Sequence, residues 1–302
     1  MRKIVILFLL SVFPILSYSQ YLWDFGVHAG ASNYLGEMGG KSDKRKDFIA
    51  DLKLSKTQFC VGGFARYKVN PIMSAKLGLN WNRICGADYL STNPGRAGRN
   101  LSFRNDIIEL ELTGQFFFVD VPDLGHTYRY RNDFRMYAFV GVAGFYHSPK
   151  AYYNGAWTPL RPLQTEGKKY SPVGVSVPLG IGLYFTIDKK HRIGWEFDWR
   201  TTFTDYLDDV STVYADPANL TSAEAIALAN RRGELGNEAG IPNPDNYAPG
   251  SKRGDPSHND SYITTSINYS YIIRGRSSFY RSKYGSIFKH KKYKKRKIRA
   301  KF

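Results

Sequence analysis

Eight segments of this sequence alternate between apolar and polar residues, and the clearest of them runs from Ser261 to Ile273. Its odd positions include Ile263 and Ile267, whereas its even positions include Thr264 and Asn268. A β-strand sends successive side chains to opposite faces, so this pattern predicts a strand with one apolar and one mostly polar face. Because the pattern recurs along the chain, we predict an all-β fold.

The other seven segments show the same alternation. In chain order they cover residues 23–32, 59–69, 73–82, 108–118, 134–146, 173–187 and 193–200. Several are longer than soluble strands, whose common length is about five or six residues, and strands of roughly 9–11 residues suit a bilayer. An even strand count is typical of bacterial outer-membrane barrels. We therefore predict an eight-stranded antiparallel transmembrane β-barrel, closed by pairing of the last strand with residues 23–34. A soluble barrel with its apolar face inside is the alternative.

The connections between these segments alternate between shorter and longer. The shorter ones lie near Asn70, at 120–132 and at 188–191, and the longer ones at 36–56, 86–105, 147–172 and 207–260. Outer-membrane barrels have short periplasmic turns and longer extracellular loops. This alternation, together with the glycines and small residues of the polar faces, favours the membrane barrel and predicts that both chain ends are periplasmic.

Residues 1–19 have the features of a secretory signal peptide. Arg2 and Lys3 precede a short apolar run, and Ser17-Tyr18-Ser19 forms a small-x-small cleavage site. The apolar run is shorter than the roughly 20 residues of a membrane-spanning helix. We expect an exported protein whose barrel occupies residues 20–273.

The positive charge is concentrated at the end of the sequence. Of the net charge of +17, thirteen Lys and Arg without any Asp or Glu lie in residues 274–302, while residues 4–273 carry only +2. The body therefore lacks the basic surface of a nucleic-acid-binding fold. The tail is interpreted as a solvated arm, as a segment that binds anionic outer-membrane lipid at the inner leaflet, or as a docking segment for a periplasmic partner. Its candidate binding residues are Arg281, Lys283, Lys289, Lys291, Lys292, Lys294, Lys295, Arg296, Lys297, Arg299 and Lys301.

The predicted interior face carries charges of both signs. They are Asp24, His28, Arg66, Lys68, Lys76, Glu109, Glu111, Arg135, Glu196, Asp198 and Arg200. An eight-stranded barrel is just wide enough for side chains, and buried charges must pair. We predict a packed charge network, with a narrow gated pore as the alternative. His28 and Ser32 share the interior face and leave a lipid-modifying enzyme as a third hypothesis, but no strained nucleophile turn is visible and we predict no catalytic residues.

The alternation places the side chain of Cys60 on the polar, inward face of its strand and that of Cys85 on the apolar, outward face. Adjacent strands pair like face with like face, so we predict two free thiols, although export would permit a disulfide. The histidines are scattered, and the glycines lie in strands rather than in nucleotide-binding turns. We therefore predict no metal site and no cofactor.

The longest loop contains one predicted helix. Residues 221–224 have the capping-box pattern Thr-x-x-Glu, and a helix is expected over residues 225–232, ending near Gly233. At the base of this loop stand Asp205, Asp208 and Asp209. They could bind Ca²⁺, but solvated acids are the favoured interpretation.

Two short motifs and the basic extension resemble a known family. Asn33-Tyr34-Leu35-Gly36-Glu37 ends the first strand, and Thr204-Asp205-Tyr206-Leu207-Asp208-Asp209-Val210-Ser211-Thr212 follows the seventh. Together with the tail they resemble the PorG-type outer-membrane proteins of the Bacteroidetes type IX secretion and gliding machinery, over the whole mature chain. The resemblance implies a non-enzymatic eight-stranded barrel that assembles or anchors periplasmic ring subunits, a lipoprotein and its partner. It implies no cofactor.

Overall fold

The structure, a computed structural model, describes residues 21–38, 54–121, 132–236 and 242–274. It has nine antiparallel strands. They are β1 (Tyr21–Leu35), β2 (Gln58–Asn70), β3 (Met73–Ala87), β4 (Ser102–Val121), β5 (Asn132–Tyr153), β6 (Ala156–Pro159), β7 (Val173–Ile187), β8 (His191–Thr202) and β9 (Ser261–Arg274). The short β6 pairs only with the far end of β5 and stands outside the barrel wall. The remaining eight strands correspond to the eight predicted segments.

The eight long strands close into a barrel. Each pairs with its neighbour in the chain, and β1 pairs with β9 from Trp23↔Ile273 to Leu35↔Ser261. The predicted closing pair is therefore confirmed, and closure removes the unpaired strand edges of an open sheet. β4 and β5 are the longest strands, with 20 and 22 residues, and they continue beyond the predicted bounds. The predicted loop at 86–105 is consequently shorter, since β3 ends at Ala87 and β4 begins at Ser102.

The apolar face of the barrel points outward. Phe59 is 75% exposed, and Val27, Leu79, Leu110 and Val142 are also exposed. The polar face points inward and is buried, so the barrel is of the outer-membrane type and the soluble alternative is wrong. A belt of this extent far exceeds the apolar patches that soluble monomers expose. In the described ranges no helix has the length and apolar character needed to cross a bilayer.

The two ends of the barrel differ. We call the end with the connections at 71–72, 122–131 and 188–190 the turn end, and the opposite end the loop end. The loop end carries helix α1 (Pro94–Arg99), helix α2 (Ala223–Ala229) and several single turns of 3₁₀-helix. α2 begins two residues before the predicted start at 225 and ends at Ala229, three residues before the predicted end at 232. Its N-cap is Ser222 rather than Thr221 of the capping-box motif, and Ser222 accepts a hydrogen bond from the Ala225 amide.

Two predicted regions lie outside the described residues. They are the signal peptide at 1–19 and the tail that follows Arg274, including its eleven candidate binding residues. Arg274 is the last residue of β9 and pairs with Tyr21 at the turn end. The tail therefore starts at the turn end of the barrel.

Candidate functional site

Arg200 on β8 is the centre of the barrel's ion-pair network. Its guanidinium lies 2.7 Å from Glu109, 2.9 Å from Glu111 and 2.6 Å from Asp198. It also donates to the Thr264 hydroxyl at 2.7 Å. One cation thus joins carboxylates from β4 and β8 across the barrel, and all four charged side chains are at most 5% exposed.

A second group of charges continues the network toward the turn end. Lys76 lies 3.1 Å from Glu111 and 2.8 Å from Glu196, and Arg66 lies 3.3 Å from Asp24 and 3.5 Å from Glu196. Glu111 and Glu196 therefore link the cations of β2, β3 and β8 into one connected set. We call this set, with the Arg200 group, the central ion-pair network.

Arg192 is a member of this network that the sequence analysis missed. It forms an ion pair with Asp24 and is 9% exposed. It has the same parity as Glu196, Asp198 and Arg200, but it precedes the predicted start of β8. The alternation of β8 already assigns the Arg192 side chain to the interior face. The residue was left out only because the strand was predicted to begin at 193.

Three predicted interior charges lie apart from the network, and one of them, the half-buried Lys68 on β2, forms no ion pair among the described residues. The other two are Arg135 and His28. Arg135 pairs with Asp120 at 2.8 Å near the turn end, because these residues are cross-strand neighbours on β5 and β4. His28 is 8% exposed inside the barrel, with its ring stacked against Phe64 at a centroid distance of 6.3 Å. Neither residue has an ion pair to a network member in the described structure.

Aromatic rings fill much of the remaining interior, where the sequence pattern predicts glycine, small polar residues and charge. Phe117, Tyr137, Phe139 and Tyr184 form one buried cluster. Arg66 lies over the rings of Tyr137 and Tyr184 at 5.6 and 5.1 Å, in cation–π geometry. Inward glycines provide the space: a Cβ on Gly182 would lie 2.5 Å from the Tyr137 ring.

Hydrogen bonds tie these aromatic residues to the charges. The Tyr262 hydroxyl donates to Glu109 at 2.7 Å, and the Tyr137 hydroxyl donates to Glu196. Asn80 donates to Glu109 at 3.2 Å. The carboxylates are thus held by hydroxyl and amide donors as well as by cations, which lowers the cost of burying them.

A hydrophobic cluster closes the barrel above the network at the loop end. We call it the loop-end plug, and its members are Tyr34, Met38, Ile84, Leu101, Phe103, Ile107, Phe145, Leu207, Val210 and Tyr262. Leu207 and Val210 come from the loop after β8, and both are at most 1% exposed. The long loop therefore folds back into the barrel mouth.

The two sequence motifs meet at this plug. The hydroxyl of Tyr34, from the first motif, lies 2.8 Å from Asp208 of the second motif and 2.5 Å from Asp260. Asp260 also accepts a hydrogen bond from the Leu207 amide at 3.0 Å. Gly36 is required beside this contact, because a Cβ there would overlap the Tyr34 hydroxyl. The motifs thus fasten the loop after β8 to the end of β1.

A second buried group lies next to this contact. Asp209 accepts hydrogen bonds from Thr165 at 2.5 Å and Tyr170 at 2.6 Å, while Arg253 pairs with Glu166 at 2.9 Å. Burial raises the pKa of the Asp209 carboxyl to about 6. Burial also raises the pKa values of Asp208 and Asp260. The prediction of solvated acids is therefore wrong, since Asp205, Asp208 and Asp209 are all less than 9% exposed.

The other candidate groups take structural positions. Cys60 and Cys85 are free thiols, as predicted. The Ser32 hydroxyl donates to the backbone carbonyl of Arg83. Ser32 is four residues from His28 on β1, about 13 Å at the rise of an extended strand, so the two are too far apart for a direct hydrogen bond. No group of three or more metal-binding side chains occurs in the described ranges.

Comparison with known proteins gives one family match and several similar folds. The family described as "Domain of unknown function (DUF6089)" matches residues 2–222. No curated protein matches the chain. The N-terminal β-barrel domain of Pseudomonas aeruginosa OprF is 8% identical, with 83% of this chain and 97% of that chain covered and a TM-score of 0.33. Yersinia pestis Ail is 9% identical, with 83% and 99% covered and a TM-score of 0.35.

Proposed function

Since the chain belongs to the DUF6089 family and folds as an outer-membrane-type barrel, we propose that it is a non-catalytic anchor of a type IX secretion and gliding machinery. In this proposal the turn end faces the periplasm, where the basic tail binds ring subunits, a lipoprotein and its partner. The proposal rests on the resemblance carried by the two motifs and by the tail.

The packed interior is the observation that most favours an anchor. The central ion-pair network fills the barrel, and the loop-end plug covers it. Conduction would require these paired charges and the plug to separate, at the cost of leaving buried charges uncompensated. We therefore expect the purified barrel to give no steady conductance in planar bilayers, and a stable open channel would favour the pore instead.

The end of the last strand supports a role on the side of the short turns. β9 ends at Arg274, opposite Tyr21, at the turn end of the barrel, and the basic segment 275–302 follows it in the sequence. Short turns are periplasmic in outer-membrane barrels. The twelve basic residues of 275–302 would then meet periplasmic proteins or the anionic inner leaflet.

Cross-linking in intact cells tests the proposal. A photo-reactive residue at Tyr284 should capture a ring subunit, and replacing the eleven tail candidates, Arg281 to Lys301, by Gln should abolish both capture and secretion. Lys168→Gln/Lys169→Gln removes two positive charges from the loop end and is the matched control. Unchanged capture and secretion after the tail substitutions would contradict the proposal. If the tail substitutions abolish binding to anionic vesicles but leave capture of the ring subunit unchanged, the tail binds lipid rather than the ring.

A further inference from the structure

A cavity of about 600 Å³ lies among the loop-end segments, outside the barrel interior. Its lining comes from the end of β1, from α1 and from the loop between β8 and β9. The volume falls in the range of small-molecule sites, roughly 300–1,000 Å³. The function proposed above does not use this cavity.

Tyr214 lines the cavity and carries a buried hydroxyl. The residue is 3% exposed, and the hydroxyl has no hydrogen-bond partner among the described residues. Burial raises the pKa of this phenol to about 12, so the hydroxyl keeps its proton at neutral pH. An unsatisfied buried hydroxyl costs free energy and points to an acceptor from outside the chain.

Arg96 on α1 provides a second unused donor. Its Nη1 atom is buried and has no acceptor in the described part of the chain. Two other arginines line the same cavity but are already held: Arg99 lies 2.7 Å from Asp88, and Arg253 lies 2.9 Å from Glu166. Arg96 and Tyr214 are therefore lining residues whose buried donors have no acceptor among the described residues, and a guanidinium suits carboxylate or phosphate oxygens.

The remaining charges favour an anion of low charge. Lys252 stands at the rim, 3.6 Å from Asp255, and the buried carboxyl of Glu37 lines the inner wall. The two carboxyl groups of the lining would repel a doubly charged phosphate ligand more strongly than they would repel a ligand with one carboxylate. They are also acceptors for hydroxyl groups. The rings of Tyr214 and Tyr247 pack edge-to-face at 6.0 Å and support the wall, although both are buried.

We propose that this loop-end cavity binds an acidic sugar. Arg96 and the Tyr214 hydroxyl hold the sugar carboxylate, and Glu37 and Asp255 accept hydrogen bonds from the sugar hydroxyls. Because both donor atoms are buried, binding requires the Arg96 and Tyr214 side chains to turn toward the cavity, whereas the barrel strands need not move. The site is independent of ring binding at the turn end.

Calorimetric titration of the full mature chain in detergent tests the proposal. The probe is a glucuronic-acid-containing disaccharide, with the uncharged glucose disaccharide and a dipeptide as comparison ligands. The acidic disaccharide should bind, and Arg96→Gln should weaken it about tenfold or more because a charge-assisted hydrogen bond is lost. Arg161→Gln, a loop-end arginine outside the lining, should leave the affinity unchanged.

Tyr214→Phe separates ligand binding from folding. Removing an unsatisfied hydroxyl should keep or raise the unfolding temperature, while the affinity for the acidic disaccharide falls severalfold. Tyr89→Phe, at an exposed loop-end tyrosine, is the matched control and should change neither quantity. No binding of the acidic disaccharide, equal binding of the uncharged one, preference for the dipeptide, or insensitivity to both Arg96→Gln and Tyr214→Phe would overturn the proposal.

Discussion

The phenolic oxygen of Tyr34 lies 2.5 Å from Oδ1 of Asp260, so the end of the first strand contacts the residue that precedes the last strand. The same oxygen lies 2.8 Å from Oδ2 of Asp208. A phenol has one hydrogen and can donate to only one carboxylate at a time. Both contacts are hydrogen bonds only if one carboxyl carries a proton, in agreement with the raised pKa values of Asp208 and Asp260.

Tyr34→Phe should loosen the loop after β8. The substitution removes one oxygen and leaves two buried carboxyls without their shared partner, so we expect a loss of about 1–3 kcal/mol in the free energy of unfolding. Limited proteolysis should cut the segment 203–260 faster than in the wild type. The exposed Tyr89→Phe is the control, and equal proteolysis of all three proteins would contradict this role of Tyr34.

The stability of the loop end should fall as the pH rises from about 4.5 to 8. Burial raises the pKa of Asp209 to about 6 and raises those of Asp208 and Asp260. In this window the folded state therefore binds more protons than the unfolded state, whose Asp pKa is about 3.9, and folding weakens as the protons leave. The effect is measured as the rate of limited proteolysis at each pH, after correction for the change of the protease's own activity with pH. Asp260→Asn should flatten the profile, and a profile that rises with pH would show that the sign is wrong.

Arg200→Met should destabilise the barrel strongly. It leaves Glu109, Glu111 and Asp198 buried without their common cation, and removing one partner of a buried ion pair costs about 3–5 kcal/mol. Arg83→Met is the matched control, because the Arg83–Asp106 pair is partly exposed and should contribute about 1 kcal/mol or less. Urea unfolding in lipid vesicles compares the two. Similar losses in both variants would mean that the network is not the main electrostatic support of the fold.

Gly180→Ala and Gly144→Ala should have opposite outcomes although both lie within barrel strands. A Cβ on the inward Gly180 would overlap the Phe197 carbonyl oxygen and lie 2.6 Å from the Phe139 ring, whereas nothing lies within 4 Å of a Cβ on the outward Gly144. We expect Gly180→Ala to reduce the yield of folded barrel. Gly144→Ala should be neutral or stabilise the barrel by up to about 1 kcal/mol. The heat-modifiable mobility shift of the barrel on gels reports folding, and normal folding of both variants would rule out close packing at Gly180.

Much of the barrel follows from the alternation of apolar and polar residues along each strand. The eight strands and the two free thiols were predicted from alternation, since side-chain direction along a strand is a local property. The closing pair β1–β9 followed from the need to remove the sheet edges, and the outward apolar face followed from the connection lengths and the small residues of the polar faces. Arg192 was missed only because the strand was predicted to start later. The rings of Tyr137, Phe139 and Tyr184 were missed for another reason, since they have interior parity but their packing space comes from glycines on neighbouring strands.

The sequence by itself determined where the eight strands lie and which residues of each strand share a face, because both depend on a period of two residues within one segment. The outward direction of the apolar face was predicted only with the added pattern of short and long connections, and the exposure of that face in the structure confirms it. Only the tertiary structure decided that Arg200 joins Glu109 and Glu111, which lie 91 and 89 positions earlier in the chain. It also decided that Asp208 and Asp209 are buried beneath folded loops rather than solvated. Such contacts depend on the register of strands around the closed barrel and on how the long loop folds back into its mouth, and no local pattern contains that information.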